Sequence, residues 1–420
     1  MSALRTLRGI VAEAGAGRRR GLPSWCTAHG PTLAAILAAH RGDDGPILVE
    51  ATCNQVNHRG GYTGLAPADF QAFVLGLADR AGVDRARLIL GGDHLGPNPW
   101  KSLPAAQAMD EARRMVDAYV RAGFGKIHLD ASMACADDGD LPEETIAERA
   151  ADLCAVAEAA AQGAEKPLYV VGTEVPIPGG ELSALDALAV TPPEAARRAR
   201  ELHRDAFARR GLGAATERTI GLVVQPGVDM GNDQVFAFDP AKAAALAAGA
   251  DLPPGLAFEA HSTDFQTEAA LSALVASRFA VLKVGPALTF AYREATFAMA
   301  QIAATLGIEP RPGVVAALEA AMDADPSHWR PYVAEGDGTR VARLYGLSDR
   351  VRYYWAAPPV ARACADLEAA IDGATIPHGL LSQFADDPFL EPAGSPLSKR
   401  IVAAKVGAVV GRYRRACGAP

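Results

Sequence analysis

No two of the six cysteines (Cys26, Cys53, Cys135, Cys154, Cys364, Cys417) form a Cys-x-x-Cys pair, which argues against a zinc ribbon or a thioredoxin-type motif. Scattered thiols in a chain of this size fit a reducing compartment. Basic residues are in the minority: 41 Lys and Arg against 49 Asp and Glu give a formal net charge of −8. That balance disfavours a nucleic-acid groove, which needs a basic surface. A small anion could still be held by a local cluster of basic side chains or backbone N–H groups. No apolar run reaches the ~20 residues of a membrane span, and Arg18-Arg19-Arg20 has no apolar segment beside it. The reading is a soluble, cytoplasmic protein. Aromatic residues make up only 6% of the chain while half of it is hydrophobic, much of that alanine. Such a composition suits many helices packed closely through small side chains.

Two kinds of segment alternate through the first 306 residues. Short apolar runs, bounded by turn residues, lie at 21–26, 46–51, 88–91, 126–129, 168–172, 220–224, 256–259 and 281–284, as buried parallel strands should. Each is followed by an Ala-rich amphipathic stretch, several opening on helix-start signals such as Thr191-Pro-Pro-Glu194 and Asp239-Pro240. Eight strand–helix pairs predict a (β/α)8 TIM barrel. An open doubly wound sheet would want a Gly-rich nucleotide loop after its first strand. Gly15-Ala16-Gly17 precedes that strand, so it is read as a flexible turn and no nucleotide is expected. From 307 to 420 the alternation stops, which predicts a mainly helical C-terminal extension packed on the barrel or forming a subunit interface, with a homo-oligomer expected. Within it, Arg350–Trp355 is both basic and aromatic and is read as a packed segment.

In such barrels the chemistry sits at the C-terminal ends of the strands. Here seven consecutive strand ends carry polar side chains. They are Glu50 with Asn54, Gln55 and Asn57; Asp93-His94; His128, Asp130 and Ser132; Glu174; Gln225; Glu259, His261 and Asp264; and Lys283. Any one of these could be a satisfied core group, His128 above all. Packing alone would not gather so many, because each costs free energy unless paired. His94 and His261 would face each other across the barrel mouth and, with Glu174 or Gln225, hold one divalent ion. That ligand set suits zinc, manganese or cobalt. Asp93 is placed to move a proton, with Glu174 and Asp130 as further catalytic carboxylates. Glu50, Asn54, Gln55, Asn57, His128, Ser132, Glu259, Asp264 and Lys283 are the expected substrate contacts.

These motifs resemble class II, metal-dependent aldolases. Gly91-Gly-Asp93-His94-Leu-Gly96 is similar to that family's strand motif, Ile127-His-Leu-Asp130-Ala-Ser132 to its Asp-Gly-Ser segment, and Glu174-Val-Pro-Ile-Pro-Gly-Gly-Glu181 to its Gly-rich loop. Over nearly its full length the chain resembles the GatZ–KbaZ-like branch, including Leu347-Ser-Asp-Arg-Val-Arg-Tyr-Tyr-Trp355. Two departures stand out: Gln225 replaces the middle zinc His, and Ser262-Thr-Asp-Phe265 replaces the glycine-rich phosphate loop. The resemblance implies a subunit of D-tagatose-1,6-bisphosphate aldolase, working with a catalytic Y-type aldolase chain in galactitol or N-acetylgalactosamine catabolism. The retained polar set supports an alternative, an independent metal-dependent ketose or ketose-phosphate 4-epimerase. A tagatose-6-phosphate kinase, an older label in the family, lacks any Gly-x-x-x-x-Gly-Lys-Ser/Thr loop here. A non-enzymatic sugar binder would need no metal.

Overall fold

The computed structural model describes residues 2–163, 165–172, 188–333, 336, 338–385 and 394–418. Among these, eight strands close into a parallel barrel. They are β1 Leu22–Cys26, β2 Ile47–Thr52, β3 Leu88–Leu95, β4 Lys126–Leu129, β5 Leu168–Val171, β6 Thr219–Val223, β9 Ala257–Ala260 and β10 Phe279–Val284. A two-stranded antiparallel hairpin, β7 Asp229–Met230 and β8 Val235–Phe236, is inserted between β6 and β9. The barrel order is β1-β10-β9-β6-β5-β4-β3-β2, closed by Leu22 beside Val281 and Ser24 beside Leu48. Each predicted strand is present, its ends shifted by a few residues at most. The largest change is β3, which runs on through Asp93 and His94 to Leu95.

Both ends of the barrel are covered. The lower end is plugged by the helix Ala3–Gly15, whose Leu7, Ile10, Val11 and Ala14 fall on one face at helical spacing. That face packs on Leu22, Leu48, Ile89, Leu168 and Ile220 from the strands. The sequence reading saw only a turn here. The turn exists at Gly17, at φ 83°, but it ends a helix. Gly15 is required where it stands, because a Cβ there would lie 2.2 Å from the Leu256 carbonyl oxygen.

The chain beyond 306 returns to the barrel. Its last helix, Leu397–Ala416, packs between Gly30–Ala39 and Pro286–Leu306. It buries Ile401, Val402, Val406 and Val410, each contributing about 1.5–3 kcal/mol of apolar burial. Tyr413 anchors it by donating its hydroxyl to the Thr263 carbonyl at 2.6 Å. The segment Arg350–Trp355 is brought to the upper mouth, where Tyr353 meets Tyr62 edge-on at 4.7 Å and Trp355 meets Tyr292 at 5.0 Å. No described helix is long and apolar enough to cross a membrane.

Candidate metal centre and active site

The ends of β3, β4 and β9 converge. One ligand atom from each of Asp93, His94, His128 and His261 lies within 4.8 Å of the others, and all four side chains are buried. The three imidazole centroids are 4.8–5.1 Å apart. Local backbone makes this approach possible. Gly91 leaves room for Glu50, since a Cβ would sit 2.6 Å from Glu50 Cγ, and a Cβ on Gly96 would overlap the Asp130 carbonyl oxygen at 1.5 Å. His94 and Ser262, the residue after His261, hold φ of 52° and 51°. That conformation is costly for a residue with a Cβ and is characteristic of functional sites.

Each histidine is oriented by a carboxylate. His94 Nδ1 lies 2.8 Å from Asp130 Oδ2, and Asp130 is itself held by the Ser132 hydroxyl at 2.6 Å. His128 Nδ1 lies 2.9 Å from Asp93 Oδ1, and His261 Nε2 is 3.2 Å from Glu259 Oε1. An ionised carboxylate only accepts, so the His128–Asp93 bond places the imidazole proton on Nδ1. The His94 backbone N–H, 3.2 Å from the same nitrogen, is the weaker competitor. His128 Nε2 then presents a lone pair with no hydrogen-bond partner. Carboxylate-oriented imidazoles with a free nitrogen facing inward are the usual arrangement of a metal site.

Beneath the histidines lies a layer of buried charge. Lys126 Nζ bonds Glu50 and Glu259, each at 2.8 Å. Lys283 Nζ bonds Glu50 at 2.8 Å, contacts Asp93, and lies 3.5 Å from Glu259. Burial pushes the Lys283 ammonium down, but Asp93 and Glu50 outweigh it and hold it well above the usual lysine value. Burial likewise opposes the Asp93 carboxylate, yet His94 and Lys283 keep it well below the usual range. Burial disfavours a charged His94, but Asp93 and Asp130 raise its pKa. His261 is kept neutral by burial and by Lys283, its pKa lowered to about 3. The group as a whole sets four carboxylates, Glu50, Asp93, Asp130 and Glu259, against two ammonium groups. Counted with neutral histidines the excess is two negative charges, and a protonated His94 reduces it to one; either balance suits a bound cation. The donor set, the orphan Nε2 and this surplus all fit a metal ion, whose identity they leave open among those that accept nitrogen and oxygen donors.

The structure sorts the sequence-predicted residues into several environments. Asp93, His94, His261, Asn54, Gln55, Asp264 and Lys283 line a cavity of about 510 Å³ above the strand ends, a size suited to a small substrate. His128, read from sequence as a substrate contact, stands inside the ligand group. Asp130 and Ser132 back His94. Glu50 and Glu259 are enclosed in the ion-pair layer, 0% and 1% exposed, below the reach of substrate. Asn57 ties its own loop, giving Nδ2–H to Cys53 and accepting from Arg59 and Gly61. Gln225, expected as a ligand, turns its amide oxygen to the Gly227 and Val228 N–H groups at 2.8 and 3.0 Å, so that oxygen is already engaged. Asp264 also accepts from two backbone N–H groups, of Gly285 and Ala287, at the start of a helix. Glu174 lies outside the described residues.

Several cavity residues escaped the sequence reading: His29, Tyr62, Tyr292 and, from the extension, Arg352, Tyr353 and Trp355. The basic-aromatic run was the available signal for the last three.

Comparison with known proteins places the whole chain. A D-tagatose 6-phosphate 4-epimerase from Agrobacterium fabrum is 48% identical over 420 residues, covering 98% of each chain. A D-tagatose-1,6-bisphosphate aldolase subunit GatZ from Escherichia coli O1:K1 is 43% identical, covering 98% of this chain and all of its own. A solved structure described as a probable tagatose 6 phosphate kinase from Sinorhizobium meliloti 1021 superposes with a TM-score of 0.86 at 45% identity, over 95% of this chain and 100% of that one. The matching family model, D-tagatose-1,6-bisphosphate aldolase subunit GatZ/KbaZ-like, spans residues 7–418, and the chain belongs to that family.

Proposed function

We propose that this chain is a GatZ-type subunit of D-tagatose-1,6-bisphosphate aldolase that contributes metal-dependent aldol chemistry on a ketose phosphate at its own barrel mouth. The observation that carries the reading is the buried Asp93–His94–His128–His261 group, set against an ion-pair layer with more carboxylates than ammonium groups. His94, His128 and His261 would hold the ion, with Asp93 alongside. Zinc fits such donors, as do manganese and cobalt. A divalent ion there supplies Lewis acidity to a ketose carbonyl. Asp93 lines the cavity as an ionised carboxylate, so it can accept a proton from the C4 hydroxyl as the C3–C4 bond breaks and return it on re-addition. Lys283 adjusts the basicity of Asp93. Held as an ammonium, it has no lone pair with which to form an imine with the carbonyl. Asn54 on the cavity wall would bind a sugar hydroxyl, while the Gln55 amide accepts from the Thr52 N–H and donates to the Cys26 carbonyl, holding its loop.

Under this reading a partner aldolase chain completes bisphosphate cleavage. A second reading, an independent C4 epimerase of a ketose phosphate, is favoured by one specific observation: the proton-transfer and ligand groups are all present in one chain. Retro-aldol cleavage, rotation of the aldehyde and re-addition would invert C4 with the same residues. Carbon-13 NMR of tagatose 6-phosphate incubated with the purified chain separates the two. A C4 epimer formed by the chain alone supports the epimerase. A silent chain that raises the rate of an added partner aldolase supports the subunit. A chain that does neither contradicts both.

A further inference from the structure

The extension places a cation in the cavity that the strand-end chemistry does not use. Arg352 lines it beside Tyr62, Tyr353 and Trp355. Its Nη1 donates to the backbone oxygens of Ser348 and, at 3.0 Å, Asp349, and its Nη2 to the Tyr353 hydroxyl at 3.0 Å. Among the described residues no carboxylate side chain pairs with it. The carboxylate of Asp349, nearby in sequence, is committed to Arg293 Nε at 3.0 Å and the Thr289 hydroxyl at 2.6 Å. The field of this guanidinium is felt next door. Burial pushes the Tyr353 phenol up, yet Arg352 and Arg350 outweigh it and hold its pKa below the ordinary tyrosine value.

The other basic side chains on the cavity wall are already neutralised. Lys399 bonds Glu368 at 2.6 Å, and Lys283 is shared among Glu50, Asp93 and Glu259. The residues outside the described set contain no Lys or Arg. Arg352 is therefore the one lining cation among the described residues with no carboxylate at ion-pair distance; Asp264, on the same wall, senses its charge but is bonded to the Gly285 and Ala287 N–H groups.

We propose that Arg352, flanked by the Tyr62 and Tyr353 hydroxyls, is the subsite for a single phosphate on the ketose, at the end remote from the carbonyl. The inference rests on the reading that this cavity takes a ketose at the metal centre. Charge fixes which end is which. A phosphate on C1 would lie next to the carbonyl carbon, beside the Asp93 carboxylate on the cavity wall. A phosphate on C6 can reach Arg352, whose planar guanidinium suits its oxygens. A second phosphate would find no free lining cation. The cavity thus selects a ketose 6-phosphate over the 1-phosphate and the free sugar.

Calorimetric titration of the full-length, zinc-loaded chain tests this without requiring turnover. The probes are fructose 6-phosphate, fructose 1-phosphate, fructose and inorganic phosphate. Fructose 6-phosphate should bind at least about tenfold more tightly than each of the others, as expected for a charge-assisted contact. Arg352→Gln should erase most of that preference and Arg352→Lys should keep part of it, while Lys399→Gln should change it less than about twofold. Equal binding of fructose and fructose 6-phosphate by the unaltered chain overturns the proposal. So does a preference that survives Arg352→Gln in a protein with an unchanged circular dichroism spectrum, or inorganic phosphate binding as tightly as the sugar phosphate. Selective binding lost with Arg352 but without turnover would support the subsite and count against the catalytic reading alone.

Discussion

His128 Nδ1 lies 2.9 Å from Asp93 Oδ1, its other ring nitrogen is buried and unpartnered, and the His94 and His261 rings stand 5.1 and 5.0 Å away, centre to centre. One bond thereby links the proposed proton-transfer residue to a proposed ligand. His128→Phe should remove one ligand while filling the same space, so metal content per chain should fall. It should also free Asp93 from a partner and shift the acid limb of the pH–rate profile. Metal analysis together with that profile checks both effects.

Asp93→Asn keeps the shape of the site and loses the base. Turnover should fall by about 10²–10⁴-fold, with metal retained. A full-rate Asp93→Asn enzyme would remove Asp93 from the chemistry.

Asp130 holds His94 from behind at 2.8 Å. Asp130→Asn should lower metal affinity or activity by about 10–100-fold, the usual cost of losing the partner of a ligating histidine. Competition with a chelator, titrated against the unaltered chain, gives the number.

Lys126 is 0% exposed and bridges Glu50 and Glu259. Lys126→Met leaves those carboxylates buried with one cation fewer. Breaking a buried pair in this way costs about 3–5 kcal/mol, so urea unfolding should shift to a clearly lower midpoint.

His203 is 2% exposed and donates Nδ1–H to the Ala199 carbonyl at 2.8 Å. Burial lowers its pKa to about 4. In the unfolded chain it would titrate near ~6.5. Between those values the unfolded chain binds a proton that the folded one refuses. The stability this residue contributes is full above ~6.5 and is lost as pH falls toward about 4. Lowering the pH from 7 to 5 should cost about 2 kcal/mol at this residue. In His203→Gln the difference in unfolding free energy between those two pH values should shrink by a similar amount.

The barrel was legible because each buried strand is a short apolar run and each helix opens on a proline or capping signal. The polar strand ends were legible for the same reason: Asp93, His94 and His261 interrupt apolar runs where packing alone gives no reason for them. What could not be read was the direction of each side chain. Gln225 looked like a ligand by position, but its amide oxygen serves a turn made only in three dimensions. His128 is expected from sequence as a substrate contact and lies instead within the Asp93–His94–His261 group. The extension was the harder case. Arg352 reaches the mouth through contacts such as Tyr353 with Tyr62, nearly three hundred residues away along the chain, and no local periodicity encodes such a contact.

The proposed chemistry needs a divalent ion held by the three histidines and Asp93. The most direct test is to strip the purified chain with a chelator, measure bound metal and turnover of tagatose 6-phosphate, alone and with a partner aldolase, and then restore zinc, manganese or cobalt one at a time. About one ion per chain is expected, with activity lost on its removal and regained on its return, and no such recovery in His94→Ala or His261→Ala. Undiminished activity in the metal-free chain would contradict that requirement.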